Sequence, residues 1–168
     1  MITNYDLIKI EISNKKRKEL ESLTKVYKKL KQKINCNTKS NKLSIETEFG
    51  LCNFFYNTGN YDDALEQIEN IIKLQPNNTK AIYCKVIIQK SSGKLEQAIA
   101  SCERISGIDC YNIDAVCTKG MLLSEMTRRE EAIECFDKVL SINPSYVLAL
   151  YHKGMLLSEM TRREEAIE

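Results

Sequence analysis

An all-α chain of stacked helix hairpins is the fold this sequence predicts, on three observations. The sixteen residues Lys119 to Glu134, KGMLLSEMTRREEAIE, return without a change at Lys153 to Glu168, an offset of 153 − 119 = 34. The alanine inside that stretch recurs at the same interval, as Ala64, Ala98, Ala132 and Ala166. A period of this size marks units that are single hairpins, each unable to bury its apolar face without a neighbour. Finally, every unit shows two helical patterns around a short polar turn: Thr58-Gly59-Asn60, Ser91-Ser92-Gly93, Met126-Thr127-Arg128 and Met160-Thr161-Arg162. Pro76 and Pro144 fall at equivalent places, where a helix should stop.

Divided on this period, the array runs as 45–78, 79–112, 113–146 and 147–168, the last unit cut short. Unit three carries Gly120, Leu123, Ala132, Phe136 and Pro144, and unit one Leu51, Cys52, Phe55, Gly59, Ala64 and Pro76. At these residues the chain resembles the tetratricopeptide repeat family, which prefers glycine or a small residue, a large apolar residue, alanine, an aromatic and proline at these places. Asn60-Tyr61-Asp62-Asp63-Ala64 is also similar to that family's inter-helix turn. Unit two departs most, with Val86 for the small residue, Cys102 for the aromatic and Cys110 for the proline, and its register rests mainly on Ala98. The resemblance implies a right-handed α-solenoid over residues 45–168, working as a scaffold that binds a peptide or protein without catalysis.

The family's concave groove is lined by the second, fifth, ninth and twelfth residues of each unit, whose spacing places them on one helix face. Carried over by resemblance, unit one supplies Glu46, Phe49, Asn53 and Tyr56, and unit two Lys80, Tyr83, Ile87 and Lys90. Unit three supplies Asp114, Cys117, Met121 and Ser124, and unit four Leu148, Tyr151, Met155 and Ser158. Aromatics and methionines among scattered charges suit an extended or helical peptide better than a small polar metabolite. Phe49, Tyr83 and Tyr151 have a structural alternative, packing within the array. Some members of the family clamp the acidic tail of a chaperone with lysine, asparagine and arginine. Asn53 and Lys80 match two such positions, but Phe49, Cys84, Asp114 and Thr118 occupy the others and carry no cation.

Residues 1–44 differ from the array in charge. They hold 12 Lys and Arg against 4 Asp and Glu, or +8, while residues 45–168 hold 13 against 19, or −6. Ile8, Ile10 and Ile12 alternate with Lys9 and Glu11, a pattern open to a short strand or a helix entry. From about 14 to 35, Leu20, Leu23, Tyr27, Leu30 and Ile34 form one apolar stripe on a Lys-rich helix. Ser13 or Asn14 suits its start, and Lys29, Lys31 and Lys33 suit the negative pole at its end. This stripe is expected to cover the open end of unit one. An alternative use is binding of a polyanion, nucleic acid or anionic lipid, through Lys15-Lys16-Arg17-Lys18. The spacing also fits a coiled coil, over too few heptads to favour it. Cys36 to Ser44, rich in Asn, Ser and Lys, reads as a linker.

Composition excludes several classes. No apolar run approaches the ~20 residues of a membrane span and the N-terminus has no continuous apolar core, so a cytoplasmic location is the default. Seven cysteines, at 36, 52, 84, 102, 110, 117 and 135, form no Cys-x-x-Cys pair and fall mostly inside helical patterns, which fits reduced, half-buried thiols. His152 is the single histidine and has no ligand-forming residue at metal-binding spacing. No phosphate loop, zinc motif or nucleophile elbow is present, and no cofactor is expected. The carboxylates in Arg128-Arg129-Glu130-Glu131 read as helix-start charges, and an enzyme enters only as a larger protein of which this array is the regulatory part. The half unit at 147–168 is expected to leave Leu150, Met155, Leu156 and Ile167 partly uncovered, which would promote end-to-end self-association.

Overall fold

A computed structural model describes Lys18, Ser22, Lys25 and Lys29 and residues 41–165, with side chains from 45 to 161. Among the described residues there are seven α-helices and no strand: α1 Asn41–Asn57, α2 Tyr61–Leu74, α3 Thr79–Ser91, α4 Leu95–Ile108, α5 Ile113–Glu125, α6 Arg129–Ile142 and α7 Val147–Glu165. The chain divides into two compact units, residues 1–47 and 48–168. In the first, Lys18, Ser22, Lys25 and Lys29 are helical and exposed. Ile8, Ile10, Ile12, the stripe from Leu20 to Ile34, Cys36 and Lys15-Lys16-Arg17 lie outside the described residues. Helix α1 begins at Asn41, inside the stretch 36–44 expected to be a linker. Polar residues at a helix start cost only a few tenths of a kcal/mol each, and Leu43 and Ile45 continue the apolar pattern upstream.

Within 48–168 the hairpin turns share one geometry. Asn60 N–H donates to Phe55 O at 2.9 Å and Gly59 N–H to Tyr56 O at 3.0 Å, the paired bonds of a Schellman cap. Lys94 to Gln89 with Gly93 to Lys90, and Arg128 to Leu123 with Thr127 to Ser124, repeat it. The cap needs a left-handed residue, supplied by Gly59 at φ 76°, Gly93 at 74° and Thr127 at 62°. Between hairpins, Asn78 and Asn112 cap α3 and α5, each side-chain oxygen accepting from an alanine N–H three residues on at 3.0 Å. Cys110 is exposed in the proline's place, and the turn around it keeps the bond of its neighbours, Asn112 N–H to Asp109 O at 3.1 Å beside Asn78 to Gln75 at 3.1 Å.

The core runs through matching positions of each unit. Ala64, Ala98 and Ala132 are completely buried, which lets the second helix of each hairpin approach closely. Unit two conforms in spite of its weak signature because volume is exchanged between two helices. At one pair of equivalent positions unit one has Cys52 with Ile68, unit two Val86 with Cys102, and unit three Gly120 with Phe136, all buried. A smaller residue on one helix accompanies a larger one on the other, a trade that cores tolerate. A ladder of ion pairs also follows the period: Lys85 with Glu69, Lys119 with Glu103 and Lys153 with Asp137, at 2.5 to 2.6 Å. Each joins the first helix of one hairpin to the second helix of the hairpin before it. Half-exposed pairs of this kind contribute at most about 1 kcal/mol each, so they align the stack more than they hold it.

Unit four corrects an expectation. The turn anticipated at Met160-Thr161-Arg162 is absent, and α7 runs unbroken from Val147 to Glu165. Thr161 is helical, its hydroxyl donating to Leu157 O at 3.0 Å. The same residues turn back at 126–128 because α6 then buries Cys135, Phe136 and Val139. Of the residues expected to be uncovered, Leu150 and Met155 are 50% and 45% exposed, whereas Leu156 is buried at 3%. Ile167 lies outside the described residues.

Candidate functional site

The first helices α1, α3 and α5 are tied side by side by contacts that involve several of the expected groove residues. Lys80 Nζ lies 5.2 Å from the centroid of the Phe49 ring, a cation–π contact between α1 and α3. Tyr56 OH and Ser91 Oγ are 3.0 Å apart, and Tyr83 OH and Thr118 Oγ1 3.1 Å. The Thr118 hydroxyl already donates to Asp114 O at 2.7 Å, so Tyr83 is the donor in its pair. Lys90 meets Glu125 at 3.4 Å across the same seam. Tyr56 and Tyr83 are fixed by their hydroxyls and Phe49 by the cation over its face, while all three rings stay half-exposed. Phe49 and Tyr83 are thus each held by contacts within the array, as the packing alternative has it, and each still presents surface.

The remaining residues differ in position. Asn53 is exposed beside Asn57, whose amide donates to its side-chain oxygen at 3.2 Å. Ile87 is 42% exposed with no polar atom to justify it. Met121 is half-buried on α5, while Tyr151 and Met155 on α7 are 61% and 45% exposed. Cys117 does not line the groove: only 2% of it is exposed. Tyr146 lies beside it, the phenol donating to Asp114 Oδ1 at 2.6 Å. That bond to a carboxylate, with burial, raises the Tyr146 pKa well above the usual phenol range. Tyr146 takes the place of the capping asparagines 78 and 112, a position that a helix-face rule does not sample. Its signal was the break in an otherwise regular Asn.

Among the described residues there is no group of three His, Cys, Asp or Glu that could hold a metal ion. His152 stacks on Phe136 with centroids 5.9 Å apart and meets Tyr151 edge-on at 5.3 Å. Burial is the largest cause raising the thiols of Cys52 and Cys102 to about 12 and Cys117 to about 11, far from a reactive thiolate. Arg128 pairs with Glu131 through two 2.6 Å bonds in open solvent, as helix-start charges do. No described helix is long and apolar enough to cross a membrane.

The hairpin carrying the strongest sequence signature matches the tetratricopeptide repeat family over residues 113–146. Those residues are a tetratricopeptide repeat. The array around it has the fold of tetratricopeptide proteins of known structure. MamA is similar at a TM-score of 0.65 and 23% identity, over 93% of this chain and 88% of that one. YrrB, described as a tetratricopeptide protein with an unusual peptide-binding site, gives 0.62 and 20%, over 79% and 69%. The second tetratricopeptide domain of human RPAP3, solved with the HSP70 peptide SGPTIEEVD, gives 0.61 and 20%, over 70% and 98%. No curated protein sequence matches the chain. Identities at this level establish the tetratricopeptide fold and leave the ligand to the residues of the groove.

Proposed function

We propose that this chain is a protein-interaction scaffold that binds a peptide or protein segment along the first-helix face of its tetratricopeptide array, without catalysis of its own. The observation that carries the reading is the row of half-exposed rings pinned by their hydroxyls across successive helices, with bare Ile87 among them. Rings already ordered in the free protein lose little entropy on binding, so contact area converts efficiently into affinity. The ligand that fits is a segment with apolar side chains for Tyr83, Ile87, Tyr151 and Met155. A chaperone-type acidic tail fits poorly, because Asp114 presents a carboxylate and Phe49 and Cys84 replace cations.

A second reading rests on residues 1–44, where Lys18, Lys25 and Lys29 are helical and exposed. It makes the basic arm a polyanion binder, with the array as its mount. The two separate in a pull-down from native lysate using the full chain, a chain beginning at Ile45, and the full chain carrying Ile87→Asp, each washed at low and high salt. The scaffold reading expects one protein retained at high salt by the first two and lost from the third. Retention by the full chain alone, of nucleic acid or lipid that high salt removes, would overturn it in favour of the arm.

A further inference from the structure

At one core position unit two is polar where its neighbours are apolar. Gln89 on α3 is 3% exposed, in the place of Phe55 in unit one and Leu123 in unit three, both at 1%. Ser101 on α4 is buried against it, its hydroxyl donating to Gln89 Oε1 at 2.8 Å. The Gln89 amide has two N–H donors, and one goes to Gln97 Oε1 at 3.4 Å, longer than a typical hydrogen bond. A buried amide costs stability that leucine would not, so packing alone gives no reason for this pair. Beside it lies a cavity of about 350 Å³. Ile82, Gln89 and Ser101 are its buried floor, while Gln97, Ala100 and Arg104 are exposed at its rim. Ile82, Lys85 and Gln89 form a stripe two residues, about 200°, away from the groove residues Lys80, Tyr83 and Ile87, so this is a separate surface.

Charge around the cavity departs in the same unit. The place of Gln97 is held by Asp63 in unit one and Glu131 in unit three, and that of Ala100 by Glu66 and Glu134. Unit two thus lacks both carboxylates of its neighbours, and it carries Arg104 where they have Asn70 and Lys138. Two cations line the cavity and keep donors to spare. Arg104 gives one guanidinium N–H to Pro76 O at 2.6 Å, and Lys85 gives one ammonium N–H to Glu69 at 2.5 Å. Lys85 and Arg104 against Glu69 leave a local charge of 2 − 1 = +1, which balances a monoanion and not a phosphate dianion. The volume lies at the lower end of small-molecule sites, which begin at about 300 Å³. We propose that this cavity binds a small aliphatic carboxylate. Arg104 and Lys85 hold the anionic end, the guanidinium matching the plane of the carboxylate, and the Gln97 amide adds a donor. The aliphatic chain lies against Ile82 and Ala100.

The probe is hexanoate, titrated into the isotope-labelled full chain while NMR follows the side-chain amides of Gln89 and Gln97 and the Nε–H of Arg104. Saturable shifts of these groups are expected in the millimolar range. Hexanamide, the neutral isostere, should bind about tenfold or more weakly, because it forfeits the charge-assisted bonds. Arg104→Met should weaken hexanoate by a similar factor, while Lys138→Met, the matching change in unit three, and Ile87→Asp in the groove should leave it unchanged. Gln89→Leu, which copies unit three, should also weaken it, with a urea midpoint no lower than that of the parent chain. Equal shifts from hexanamide, or from sodium chloride at matched ionic strength, would overturn the proposal. So would binding that survives Arg104→Met, shifts confined to groove residues, or no saturation by about 50 mM. Inorganic phosphate that displaces hexanoate at a lower concentration would overturn the assignment to a carboxylate.

Discussion

Gly120 and Gly154 show how far a residue's meaning depends on what faces it. Both occur in KGMLLSE, yet Gly120 lies under Phe136 and Gly154 under nothing. Gly120→Ala should therefore destabilise the fold by about 1–3 kcal/mol, since its methyl must displace a packed ring. Gly154→Ala should stabilise it by about 0.5–1 kcal/mol, because alanine is the better helix residue and no contact opposes it. Urea denaturation of the two variants checks this, and effects of one sign would contradict the packing described. Gly120→Val with Phe136→Cys, which copies the buried Val86 and Cys102 of unit two, should cost less than its two single changes combined. The period made the register of unit two legible through Ala98. The trade of volume between its helices is not legible, because a family preference speaks of one position at a time and the trade is between two positions across the hairpin. Cys117 escapes for a related reason: helical spacing assigns a residue to a face, but only the packed array shows that this position is closed.

At the scale of the element, α7 is the instructive departure. Six of the seven described helices and all three hairpin turns follow from the 34-residue period, since propensity, apolar spacing and turn residues agree there. The fourth turn was predicted from identity with the third and does not form. A local signal set by Thr127 at φ 62° is weak, as a β-branched residue resists the left-handed region and the turn persists only where α6 packs behind it. Opposite responses to one substitution follow. Thr127→Gly should raise stability by about 1 kcal/mol, relieving a left-handed L-residue at a cap. Thr161→Gly removes a helix-interior residue and should lower the helicity of α7, at a cost of up to about 1 kcal/mol if that segment is measured by hydrogen exchange. Equal and favourable effects at both sites would mean that 160–162 already turns in solution.

Across the array the core stacks one hairpin upon the next, so a group that changes state in each of units one to three acts on their interfaces together. Resemblance supplies the expected groove residues, whereas the seam bonds Tyr56 to Ser91 and Tyr83 to Thr118 depend on neighbouring units lying side by side and have no signal in the sequence of either unit alone. The buried thiols are such a group. Cys52 and Cys102 are pushed up to about 12 and Cys117 to about 11, with Cys84 and Cys135 also raised, and burial is the largest cause in each. In the unfolded chain these thiols ionise near their ordinary value of ~8.5, whereas the folded chain keeps their protons. Above that pH the unfolded state therefore binds fewer protons, and stability falls as pH rises. The contribution is complete below about pH 8.5 and is progressively lost towards 11–12, the folded values of Cys117, Cys52 and Cys102. Urea midpoints should accordingly be level between about pH 7 and 8 and decline from about pH 9, more gently in a Cys102→Val variant, which removes one of the titrating groups. A midpoint that stays level to about pH 10.5 would show that water reaches these sulfurs in the folded array, and the tight stacking of units one to three would not stand.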